Sequence, residues 1–237
     1  MATRRYFATS PLRHAATMND WLGLLICVLY VGLMLGLAEL LRYQFSFSSR
    51  FTRKFIHISV GMMSWALPFI FTVPWYFVLA CAGFAVFNWF DWRYGLIKSM
   101  RSSNEANLGT VYFPVMAAIV AVLFWSYPPL LVAALMPLTW GDGLAPVVGY
   151  HYGRHVYAFQ ANNRTWEGST GFFFATLLFT WLALWVLPGM PHLTPAAAFL
   201  PAFTIALSTT LVEAVSPWGI DNITITAVAI ALLYIWF

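Results

Sequence analysis

The stretch LLVAALMPLTWGDGLAPVVGYHYGRH runs from Leu130 to His155. Its first nine residues are apolar without alternation, which reads as a helix rather than a barrel strand. The run then leads into Gly141-Asp142-Gly143, two further glycines at 149 and 153, and the pair Arg154-His155. An ionisable group at membrane depth is costly and by default marks function. Asp142 is therefore the first candidate for a functional residue, and the rest of the chain is read outward from it.

Composition supports a membrane setting. Of 237 residues, 61% are hydrophobic and only 8% charged, whereas soluble domains carry roughly a quarter charged residues. Mean hydropathy is +0.75. Trp and Tyr recur near the ends of apolar runs, as at Trp21, Tyr43, Trp75, Trp92, Tyr127 and Trp218, the pattern of interfacial belts. Cys27 and Cys81 lie inside apolar segments and offer no disulfide framework or metal spacing. The formal charge of +4 suits anionic partners such as lipid headgroups and phosphates, and no nucleic-acid partner is expected. Residues 1–19 hold three arginines and no acid. They read as a disordered or transit-like tail, or as residues before a true start at Met18.

A helix needs about 20 apolar residues to span a bilayer. Eight stretches qualify, near 21–42, 54–73, 75–90, 109–126, 128–148, 169–188, 196–214 and 222–237. Some are short or interrupted by proline. The expectation is an all-α, polytopic transmembrane helical bundle of seven to eight spanning helices, with residues 20–237 forming one integral-membrane domain. With eight spans, the loops at 43–53, 91–108 and 149–168 share a face. They and their edges carry nine basic residues: Arg42, Arg50, Arg53, Lys54, Arg93, Lys98, Arg101, Arg154 and Arg164. The other face has only the N-terminal arginines, so the basic face is expected to be cytosolic or its equivalent in an organelle. Six of the eight acids, from Asp91 onward, fall in or beside those same loops.

Several constellations sit in this layer. Arg53, His57 and Gly61 share one helix face by the i, i+4 rule, a cation and an imidazole suited to an anion, with Lys54 beside them as a membrane-edge anchor. Asn88 and Asp91, three apart, suit a metal or hydroxyl contact or a helix-terminal polar cluster. Glu105 and Asn107 precede the helix opening at Gly109-Thr110, whose N–H groups suit anions. Asp142 between Gly141 and Gly143 can hold Mg²⁺, which takes oxygen ligands together with substrate phosphates. The glycines are expected to let the backbone approach a ligand closely. Arg154 can fork onto phosphate oxygens. Arg164-Thr165-Trp166-Glu167-Gly168-Ser169 adds a cation, an acid and a glycine; Glu213 ends one helix, and Asp221-Asn222 opens the next. Cations and carboxylates in one layer suit a metal–nucleotide complex. No Walker A loop is present in the sequence.

The ordered set R-K-x-x-H at 53–57, G-D-G-x-A at 141–145, G-R-H at 153–155, R-T-x-E-G-S at 164–169, and Glu213 with Asp221-Asn222 resembles the polyprenol kinase family. That family includes phytol, farnesol and dolichol kinases and a CTP-dependent diacylglycerol kinase. Size and motif order match the phytol kinase branch most nearly, from about residue 50 onward. The resemblance implies phosphoryl transfer from CTP, or UTP, to a long-chain lipid alcohol such as phytol, in a bacterial inner membrane or a plastid or other organelle membrane. Together with the residue reading above, the expected catalytic carboxylates are Asp142, Glu167, Glu213 and Asp221, with Mg²⁺ on Asp142 and Asp221. The same reading gives nucleotide or phosphate binding by Arg53, Lys54, His57, Gly141, Gly143, Arg154, Arg164, Gly168 and Asn222. The family more often carries lysine at the position of Arg164. On this reading the membrane keeps the lipid tail in place while the alcohol meets the nucleotide.

Two other readings stay open from the sequence. A CDP-lipid synthase shares a G-D-x-x-A element and a following G-R, but would release pyrophosphate rather than CDP. A transporter would place its ionisable groups near the midplane on broken helices.

Overall fold

The computed structural model describes residues 19–100, 108–159, 162–217 and 219–237, with side chains outside 158–163. The N-terminal tail, Arg101, Glu105, Asn107 and Trp218 lie outside the described residues.

The chain is built almost entirely of helices: α1 (Asp20–Phe45), α2 (Ser49–Met62), α3 (Leu67–Ile70), α4 (Pro74–Tyr94), α5 (Gly109–Phe124), α6 (Pro128–Met136), α7 (Asp142–Tyr152), α8 (Trp166–Val186), α9 (Pro195–Val215) and α10 (Asp221–Trp236). Among the described residues, four helical stretches are long and apolar enough to cross a membrane: 20–45, 128–152, 166–186 and 195–215. Two further apolar helices, α5 and α10, are shorter. A helix satisfies its own backbone polar groups, which is why apolar sequence of this kind folds as helix in lipid.

Local chemistry sets the ends. Asn19 caps α1 by accepting from the N–H of Trp21, Ser48 caps α2 through Phe51, Thr165 caps α8 through Gly168, and Thr194 caps α9 through Ala197. Gly95 ends α4 at φ 65°, the left-handed geometry that glycine adopts without strain. The segment expected at 54–73 instead begins at Ser49 and breaks after Met62 into a tight turn at 63–65 and the short α3. The Ser48 cap pulls Arg50, Arg53 and Lys54 out of the expected loop and onto the first turns of α2.

The centre of the bundle is the stretch that opened the sequence reading. Every residue of α6 is buried, as expected of a helix that is apolar all round. It passes through a widened π-helical turn at Pro137–Gly141 into α7 without leaving the helical path. α8, α9 and α10 pack around it, and α5 packs on α4, α6 and α10.

One expectation needs correction. The polar stretch at 149–168 is not a plain loop: β1 (Val156–Phe159) pairs antiparallel with β2 (Asn162–Thr165), Val156 opposite Thr165. Among the described residues the bundle therefore carries a small β-ribbon. The G-D-G element lies inside the helical path, as the span read at 128–148 implies. Asp142 opens α7, and the helix runs ten more residues, about 15 Å at 1.5 Å per residue.

Small residues explain how the helices meet closely. A methyl group on Gly61 would overlap Thr139 of the π turn; on Gly141, Thr176 and Phe172 of α8; on Gly143, Ile58 of α2. One on Gly149 would come within 3.6 Å of the Gly168 Cα, so α7 and α8 cross almost backbone to backbone there.

Candidate active site

A cavity of about 580 Å³ opens among α2, α4, α5, α7, the β-ribbon, the start of α8 and the α9–α10 junction. It gathers residues more than 160 positions apart in the chain, from Arg53 to Asp221.

One wall is an ion pair on the central helix. Lys54 Nζ lies 2.6 Å from Asp142 Oδ2, both side chains about nine-tenths buried. His57 Nε2 lies 3.4 Å from the same oxygen and 2.7 Å from the Leu138 carbonyl in the π turn. A carbonyl only accepts, so Nε2 carries a hydrogen and His57 is oriented by the turn. π turns inside helices recur at functional sites, and here the turn aims a carbonyl at the imidazole and a carboxylate at the cavity. Pro146, one turn on, has no N–H to give to the Asp142 carbonyl.

The facing wall is a second cluster. Arg164, at the end of β2, pairs directly with Glu213 near the end of α9. Its Nη2 also reaches the Ser216 carbonyl at 3.0 Å and Asp221 Oδ2 at 3.5 Å. The planar fork of arginine suits such multiple acceptors. Glu213 is buried and its second carboxylate oxygen has no hydrogen-bond partner. Asn222 Nδ2 donates to the Gly109 carbonyl at 2.5 Å and ties α10 to α5.

Of the residues expected to act, Arg53, Lys54, His57, Asp142, Arg164, Gly168, Glu213, Asp221 and Asn222 all line this cavity. Four others do not. Gly141 and Gly143 face α8 and α2 and serve close packing, so the reading that they leave room for a ligand is corrected. Arg154 is exposed at the entry to the ribbon. Glu167 turns outward to pair with His155 at 2.8 Å, whose side chain is 76% exposed. Gly168 and Glu167 are neighbours on α8, and the helix turns about 100° between them; Gly168 lines the cavity while Glu167 points to His155.

The Asn88–Asp91 pair also divides. Asp91 accepts from the Ile97 N–H at 2.6 Å and holds the turn after α4, while Asn88 lines the cavity. Arg50 was not singled out from the sequence. It lies at the cavity rim with its guanidinium 4.9 Å from the Tyr150 ring centre. Its spacing of three and four from Arg53 and Lys54 was the available signal.

Among the described residues, no three His, Cys, Asp or Glu side chains converge to hold a metal by themselves. Asp142 and Asp221, with the free oxygen of Glu213, nonetheless offer only oxygen donors. That set fits Mg²⁺, which takes one or two carboxylates and completes its shell with water and phosphate oxygens.

Comparison with known proteins fits these observations. A phytol kinase of Synechocystis sp. is 28% identical over 229 residues, covering 91% of this chain and 94% of its own length. A probable chloroplastic phytol kinase of Triticum aestivum is 26% identical over 204 residues, covering 78% of this chain and 67% of its own. A chloroplastic farnesol kinase of Arabidopsis thaliana is 25% identical over 199 residues, covering 76% and 63%. No family model and no solved structure matches the chain. By sequence, the chain is a relative of the phytol and farnesol kinases over most of its length.

Proposed function

We propose that the protein is a membrane-embedded kinase that moves the terminal phosphoryl group of CTP or UTP onto a long-chain isoprenoid alcohol such as phytol. One observation carries the reading: four cations (Arg50, Arg53, Lys54 and Arg164) and three carboxylates (Asp142, Glu213 and Asp221) from four distant stretches of sequence line a single cavity, in a chain related to phytol and farnesol kinases. Phosphoryl transfer asks the protein mainly for positioning and charge stabilisation, and that cavity supplies both.

In this reading Arg53, Lys54 and Arg164 face the phosphate oxygens. Asp142 and Asp221 would hold Mg²⁺, which would neutralise charge on the phosphates. Glu213 fixes the Arg164 guanidinium. The alcohol oxygen forms the new bond to the terminal phosphorus as the bond to the leaving diphosphate breaks, and the hydroxyl proton passes to a carboxylate of the cavity. We further propose seven to eight spanning helices within one domain over 20–237, with the cavity on the cytosolic-equivalent face of a bacterial or plastid membrane. The basic residues of α2, Lys98 and the ribbon support that side.

The test uses membranes containing the protein, CTP labelled in its terminal phosphate, and a panel of phytol, geranylgeraniol, farnesol and diacylglycerol. Labelled alkyl monophosphate with release of CDP is expected. Pyrophosphate with a CMP-linked lipid would identify a cytidylyltransferase instead.

A further inference from the structure

The cavity has two chemistries. Its charged end lies between Lys54–Asp142 and Arg164–Glu213. Its other end is apolar, walled by Val60 of α2, Phe84 of α4 and Phe113 of α5. α2 and α4 both pack on α1 but make at most slight contact with one another. The wall between them is therefore a seam, and the outward side of α4 beyond it is apolar and exposed, as at Phe87.

Asn88 stands where the two ends meet. It is 2% exposed and lies one helical turn from Phe84. Its Nδ2 donates to the Thr110 carbonyl at 2.7 Å. That carbonyl would ordinarily take the N–H of residue 114, but residue 114 is proline and has none. The bond fixes which way the amide lies, and it leaves Asn88 Oδ1 buried with no partner. A buried acceptor without a donor is unfavourable. Val60, Phe84 and Phe113 have none to give; a ligand hydroxyl does.

We propose that Asn88 is a positioning residue for the acceptor alcohol: the isoprenoid tail lies in the α2–α4 seam against Val60 and Phe84, and its hydroxyl donates to Asn88 Oδ1 at the border of the charged end. The inference rests on the alcohol-kinase reading and adds to it the route and the hydroxyl contact.

Asn88 also holds a backbone carbonyl, so its structural duty must be separated from binding. Pro114→Ala restores the helical N–H to Thr110 and serves as the reference background. In that background, Asn88→Leu is expected to raise the KM for geranylgeraniol about tenfold, the loss of one hydrogen bond. The nucleotide KM should stay within about twofold, since that contact is not shared. Equal rises in both constants, or no rise for the alcohol, would overturn the assignment. A diazirine analogue of geranylgeraniol gives a readout independent of turnover. Irradiation should label peptides carrying Val60 or Phe84, and unlabelled geranylgeraniol should compete. Labelling confined to other helices would remove the seam. If no alcohol is phosphorylated, the kinase reading fails while the labelling still decides the seam.

Discussion

Lys54 on α2 and Asp142 on α7 form a buried ion pair at 2.6 Å, joining positions 88 apart in the sequence. The pair fixes the N-terminal end of α2 to the central helix, with His57 set against the same carboxylate. Removing one partner of a buried pair leaves an uncompensated charge and costs about 3–5 kcal/mol, whereas replacing both by apolar groups is often neutral. Lys54→Met should therefore lower the melting temperature in detergent. The double variant Lys54→Met with Asp142→Leu should recover most of that loss and stay inactive. A double variant as unstable as the sum of the two single ones would show that the pair does not act as a unit.

Asp142 also carries the metal assignment. Asp142→Asn keeps the shape and one oxygen but removes the charge that, on the proposed reading, balances Mg²⁺. Turnover should fall by two or more orders of magnitude, about 3 kcal/mol in barrier terms, and the Mg²⁺ concentration for half-maximal rate should rise. A general-base role predicts a similar loss of rate with an unchanged Mg²⁺ requirement. Titrating Mg²⁺ on the properly inserted variant separates the two roles, and wild-type turnover would remove Asp142 from the chemistry.

The Arg164 cluster predicts a graded series. Arg164→Met strands Glu213 and Asp221 and should reduce kcat/KM by more than about 100-fold, near 3 kcal/mol. Arg164→Lys keeps the charge but cannot reach Glu213, Asp221 and the Ser216 carbonyl together. It should lose less than about tenfold. Arg154→Ala, at an exposed position outside the cavity, should stay within about twofold, as surface changes usually do. A loss at Arg154 equal to that at Arg164 would return it to the site and imply closure of the ribbon over the nucleotide.

The contrast between Arg154 and Arg164 also shows what the sequence could reveal. Rare ionisable residues in an apolar chain are conspicuous, so Lys54, Asp142, Glu213 and Asp221 were legible before any fold. The helical stretches were legible for the same reason, since uninterrupted apolar runs admit few alternatives. Direction was not. Glu167 and Gly168 are adjacent in sequence, and only the angle at which α8 meets α7 decides which one faces the cavity. The glycines beside Asp142 looked like space for a ligand because glycine offers close approach of any kind; here the approaching groups are Thr176, Phe172 and Ile58. The ribbon at 156–165 was hidden because its strands are four residues each. Asn88 drew attention through its spacing to Asp91, whereas its geometry depends on Pro114, 26 positions later.

Sidedness gives the last prediction. Lys98 is exposed beside Met100, which lines the cavity, and Arg154 is exposed where the ribbon begins. His192 is exposed in the connection between α8 and α9. The 21-residue α8 separates the ribbon from that connection by about 31 Å at 1.5 Å per residue, close to the hydrocarbon thickness of a bilayer. Cysteines introduced singly at 98 and 154 should therefore react with a membrane-impermeant maleimide from one side, and a cysteine at 192 from the other. The two native thiols, Cys27 and Cys81, are buried and should contribute little background. With positive charge marking the cytosolic face, positions 98 and 154 are expected on that side, where the proposed nucleotide would be supplied. Reaction of 98 and 154 from opposite sides would split the basic loops between two compartments, and a single nucleotide cavity lined by α2 and the ribbon could not then be reached from the cytosolic face alone.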